Sequence, residues 1–91
     1  SPALDIIGLL RQKGAQVCYH DPYISHIQQD DWSLQCVPDV LASARKADCV
    51  VIVTNHSVYD YSALLEAARL IVDTRNALGN AGKIHPKVVR L

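Results

Sequence analysis

The sequence predicts an α/β fold in which a parallel sheet is covered by helices. Three observations predict it. The runs Cys49-Val50-Val51-Ile52-Val53 and Leu70-Ile71-Val72 are continuously apolar, as strands buried on both faces are. Apolar residues at helical spacing precede and separate these runs. The resulting order, helix–strand three times over, is that of βαβ units around a parallel sheet.

Each element has a local reason. Ser1-Pro2 reads as a helix cap and first helical position. Ala3, Ile6, Ile7 and Leu10 then form one apolar face, which Leu9 widens, and Lys13-Gly14 closes the helix. Residues 15–20 read as a strand with Val17 and Tyr19 on one side, stopped by Asp21-Pro22. Residues 23–33, with Gln28, Gln29, Asp30 and Asp31, read as a solvated turn or a short irregular helix, and residues 34–37 as a short edge strand. Pro38-Asp39 starts a second helix whose Val40, Leu41 and Ala44 face inward and whose last turn carries Arg45 and Lys46. Asp60 caps a third helix with Leu64, Leu65 and Ala68. Residues 79–82 read as a loop and residues 87–91 as a last, shorter strand.

The totals narrow the function classes. Ninety-one residues, 49% apolar and 20% charged, make one small globular domain spanning residues 1–91. Such a chain buries roughly 60–65% of its unfolded surface, so a slender stability is expected. Nine basic residues balance nine acidic ones, which argues against a general nucleic-acid binder. No apolar run approaches the ~20 residues of a membrane span, so no membrane partner is expected. Cys18, Cys36 and Cys49 form no CxxC pair and have no metal-ligand spacing with the four histidines. They read as buried, reduced thiols of a cytoplasmic protein.

Polar clusters follow three predicted strands: His20-Asp21, Thr54-Asn55-His56 and Thr74-Arg75-Asn76. In a parallel sheet these ends share one edge, where ligands bind. Arg75 is the candidate ligand of a phosphate or carboxylate, because a guanidinium matches either bidentately. A surface arginine paired with Asp73 or another acid is the plainer alternative. Asp73 reads as a supporting carboxylate that caps its loop. Asn76 suits a sugar or base edge and a loop turn equally well. His56 is the best acid–base candidate by residue type, yet a loop histidine with no named base is more often structural. His20 is a turn residue with the same weighting. GxGxxG, GxxxxGK[ST] and GxSxG are all absent, so the chain carries no dinucleotide fingerprint of its own.

Four stretches in order resemble one family: Ser1-Pro2-Ala3-Leu4 with its aliphatic helix, residues 14–22 ending HisAspPro, residues 47–56 (AlaAspCysValValIleValThrAsnHis), and residues 72–77 (ValAspThrArgAsnAla). Together they resemble the C-terminal, UDP-binding domain of the UDP-glucose/GDP-mannose dehydrogenase family. The wording TyrHisAspProTyr and ValAspThrArgAsnAla is most similar to the bacterial UDP-N-acetyl-hexosamine 6-dehydrogenases. The resemblance implies an oxidoreductase of polysaccharide biosynthesis that oxidises a sugar C6 hydroxyl to a carboxylate in two NAD-dependent steps. It implies that NAD and the nucleophilic cysteine are held mainly by the remainder of the enzyme, and that Cys18, Cys36 and Cys49 are not that cysteine. It implies that Arg75, with Asn76 beside it, contacts the UDP-sugar.

A Rossmann-like unit normally opens on a strand, whereas this chain opens on a helix. The expectation is therefore a fragment of a longer enzyme, inactive alone, whose three-layer sheet with helices on both faces lacks its first, central strand. Its neighbouring strands would re-pair or associate with a second copy as a homo-oligomer. The alternative is a non-enzymatic Rossmann-like regulatory or assembly module. The sequence upstream of residue 1 separates the two.

Overall fold

The computed structural model describes residues 2–91, so the cap predicted at Ser1 lies outside the described residues. The chain forms two compact units, Ser1–Pro38 and Asp39–Leu91.

In the first unit, helix α1 spans Pro2–Gln12 and buries Ile7. It ends as predicted. Gly14 takes φ +91°, its N–H donates to Arg11 O at 3.0 Å, and Ala15 N–H reaches back to Leu10 O at 3.0 Å. This paired closure satisfies two carbonyls that a helix end would leave bare. The strand predicted over residues 15–20 is reduced to one parallel bridge, Tyr19 to Cys36. Val37 N–H donates to Tyr19 O there, at 2.9 Å.

Residues 23–33 correct the prediction further. Instead of a turn or irregular helix they supply strand β1 (His26–Gln28), which pairs antiparallel in a hairpin with β2 (Ser33–Gln35), a strand that overlaps the one expected over residues 34–37. Ile27 and Leu34 face each other across it and are the half-buried pair, while their neighbours point to solvent. Three-residue strands are too short for alternation to be distinguished from a polar loop. The Arg11 guanidinium lies 5.6 Å from the Trp32 ring centroid, a cation–π contact.

The second unit carries the predicted parallel sheet. Helix α2 (Val40–Lys46), strand β3 (Val50–Ile52), helix α3 (Tyr61–Ala67), strand β4 (Ile71–Asp73) and strand β5 (Val88–Arg90) follow in order. A single 3-10 turn, Gly79–Gly82, stands where a loop was expected. The strands run β3-β4-β5, all parallel, with Val50, Ile71 and Val88 in one register row and Ile52, Asp73 and Arg90 in another. The α/β class with a helix-flanked parallel sheet is therefore as expected.

Both short helices start at aspartates that accept from the third helical N–H. Asp39 takes Ala42 N–H at 3.1 Å and Asp60 takes Ala63 N–H at 3.0 Å. The far end of α3 is closed by Lys87, whose ammonium donates to Leu65 O at 3.0 Å and Glu66 O at 3.1 Å. The two helices pack on each other, and Ala44, Leu64 and Ala68 join Ile52, Ile71 and Leu78 in one core. Burying these side chains against one sheet face is the main driving force of this unit.

The cysteines are free, as expected, but not buried as expected. Cys18 and Cys49 are exposed and Cys36 is half-buried. Cys18 lies outside any ladder, and Cys49 precedes β3, so neither is drawn into the sheet core. Among the described residues no helix is long and apolar enough to cross a membrane, and no cluster of His, Cys, Asp and Glu could hold a metal.

Candidate functional site

The end of β4 is the most built feature of the second unit. Ile71 and Asp73 point to the helix-covered face, and both are almost wholly enclosed, at 0% and 1% exposure. An ionised carboxylate there needs partners, because burial without them costs several kcal/mol. It has three. Arg75 N–H and Ala77 N–H both donate to Oδ1 at 3.1 Å, and Leu78 N–H donates to Oδ2 at 3.0 Å. Burial pushes the Asp73 carboxyl up. The N–H groups of Leu78, Ala77 and Arg75, with the Arg90 charge, outweigh it and hold the pKa below the ordinary carboxylate value.

The loop after Asp73 is thus wound around a single anion. Thr74 fastens it to the neighbouring strand: its N–H and its hydroxyl both donate to Ile52 O, at 3.1 and 2.7 Å. Asn76 adopts the left-handed conformation, φ 55°, which asparagine tolerates better than most residues. Gly79 N–H then closes a turn on Asn76 O at 3.2 Å.

Arg75 sits at the crown of this turn. Its backbone is held, yet its exposed guanidinium makes no ion pair with any described carboxylate. The plain alternative, a surface arginine satisfied by Asp73, is not what forms: Asp73 spends its oxygens on backbone N–H groups. A fixed backbone under an uncommitted guanidinium suits capture of an external oxyanion.

Two of the three predicted polar clusters are brought to one sheet edge. Thr54-Asn55-His56 follows β3 and Thr74-Arg75-Asn76 follows the adjacent parallel β4. His56 N–H donates to the Tyr61 hydroxyl at 3.1 Å, and its ring lies 6.2 Å from that of Tyr59. His20-Asp21 belongs to the first unit, where Asp21 accepts from Tyr23 N–H at 2.7 Å and Ile24 N–H at 3.0 Å. That carboxylate builds a turn, as its place before Pro22 suggests.

Sequence reasoning missed Arg90. It ends β5 beside Asp73 in register, and its Nη2 donates to Asn76 Oδ1 at 2.8 Å. The available signal was an arginine closing the last predicted strand, at the same edge as Arg75.

A three-stranded parallel sheet flanked by helices, with polar turns at its strand ends, places this unit in the class of α/β domains whose ligands bind at that edge. The chain belongs to the UDP-glucose/GDP-mannose dehydrogenase family: residues 1–80 match that family's UDP binding domain. No curated protein and no solved structure gives a match.

Proposed function

We propose that residues 1–91 are the C-terminal UDP-sugar-binding domain of an NAD-dependent nucleotide-sugar 6-dehydrogenase, of the UDP-N-acetyl-hexosamine branch, acting in cytoplasmic polysaccharide biosynthesis. The uncommitted guanidinium of Arg75, on a turn fixed by Asp73, carries this reading. Arg75 meets a phosphate oxygen of the UDP-sugar, and Asn76 adds a hydrogen bond beside it. NAD, held by the remainder of the enzyme, would supply a hydride acceptor for each of the two oxidations that take the C6 hydroxyl to a carboxylate. The described residues form no glycine-rich strand-to-helix turn that would hold NAD, so this chain's part is to bind and orient the substrate.

The test is calorimetric titration of UDP into the intact enzyme and its Arg75→Ala variant. The variant is expected to lose about 1.5–3 kcal/mol of binding, the range for a charge-assisted contact. Unchanged affinity would remove Arg75 from the site. Association with a further copy belongs to the same proposal; light scattering that shows a strict monomer at every concentration would exclude it.

A further inference from the structure

Asn76 and Arg90 come from different strand ends, fourteen residues apart, yet meet in one hydrogen bond. Arg90 Nη2 donates to Asn76 Oδ1 at 2.8 Å. A carboxamide has one acceptor end and one donor end. Committing Oδ1 to a guanidinium leaves the Nδ2 amide as the end that can serve a ligand. An amide donor suits a phosphate oxygen or a base carbonyl, and both occur in a uridine diphosphate.

Arg90 is itself held in place. Its backbone pairs with Asp73 in the β4–β5 register, and Leu91 N–H donates to Asp73 O at 3.2 Å. Its charge also lowers the Asp73 carboxyl. It makes no ion pair with any described carboxylate. The family match ends at residue 80, before this strand.

We propose that Arg90 is a positioning residue of the UDP site: it fixes the Asn76 carboxamide with its donor end toward the ligand. This rests on the reading of the Arg75 turn as the UDP-binding element. Arg90 acts through Asn76 rather than on the ligand.

The experiment is a double-mutant cycle on the intact protein, with UDP as the probe and affinity read by calorimetry. Arg90→Ala and Asn76→Gly, the latter removing the carboxamide while tolerating the φ of 55°, are each expected to weaken UDP binding about three- to tenfold. The double variant is expected to be no weaker than the worse single one. Arg90→Lys, which keeps a cationic donor on β5, is expected to recover part of the loss, with thermal midpoints unchanged across the set. If UDP binds the wild type and Arg90→Ala leaves affinity unchanged, or if the two losses multiply, Arg90 does not act through Asn76 and the proposal falls alone. If wild type shows no UDP binding, the reading of the whole site falls with it.

Discussion

Asp73 holds Arg75 by its backbone and leaves its guanidinium uncommitted. The Arg75 N–H donates to Asp73 Oδ1 at 3.1 Å, while Ala77 and Leu78 complete the carboxylate's shell. Two oppositely charged neighbours in sequence would ordinarily neutralise each other. Here burial of Asp73 on the core side and exposure of Arg75 separate the two charges: one organises the turn, the other stays in solvent.

Removing the organiser should therefore cost both stability and binding. Asp73→Ala leaves the buried Leu78 N–H without its acceptor and releases the other two. A loss of roughly 3 kcal/mol or more is expected, since hydrogen bonds to charged groups are worth about 1.5–3 kcal/mol each and do not add fully. That is a large part of the stability of a domain this small. Asp73→Asn retains one acceptor oxygen and should be milder in urea unfolding, while still weakening UDP binding. Equal stability of the Ala variant and wild type would contradict the role given to Asp73.

The same carboxylate sets an acid limit. Its pKa is lowered on folding from an ordinary value of 3.8. Its contribution to stability is therefore complete above that unfolded-state value and is lost as pH falls through the lower folded-state one. Unfolding free energy should decline below about pH 4, and Asp73→Asn should flatten that decline. A wild-type curve parallel to that of the variant would show that other carboxylates govern acid unfolding.

The second unit was legible where local and long-range preferences agree. Continuous β-branched runs marked β3 and β4, and aspartates before apolar segments marked both helix starts. The first unit was less so. Tyr19 sits in a strand-like run but finds only a single bridge, and the β1–β2 hairpin is built from His26, Gln28, Ser33 and Gln35, whose polar side chains face solvent. Arg75 could be named from its neighbours alone. The Arg90–Asn76 bond could not, because it depends on the β4–β5 register, which no short-range pattern encodes.

The two seven-residue helices should depend heavily on their caps. Helices of this length are unstable in isolation. Asp39→Ala and Asp60→Ala each free an N–H now bonded at about 3 Å, and each should cost about 1 kcal/mol. Asp39→Ser and Asp60→Ser should regain most of it. Because the two caps lie on different helices, the costs should nearly add in thermal unfolding. A cap variant with an unchanged midpoint would show that packing alone holds that helix.

Gly82 is required for space and not for its backbone angles. A Cβ there would lie 2.7 Å from the Leu78 Cβ and 3.1 Å from its Cδ1, closer than carbon atoms pack. Leu78 cannot retreat cheaply, since its side chain is in the core and its N–H is fixed on Asp73 Oδ2. Gly82→Ala should therefore cost about 1–3 kcal/mol by overpacking. The strain should pass through Leu78 to the Asp73 turn and weaken UDP binding as well, although residue 82 touches no ligand. Leu78→Gly removes both contacts and leaves a cavity, so the Leu78→Gly/Gly82→Ala pair should be more stable than the sum of the single losses predicts. Strict additivity in denaturant unfolding would mean that the inserted methyl is accommodated elsewhere.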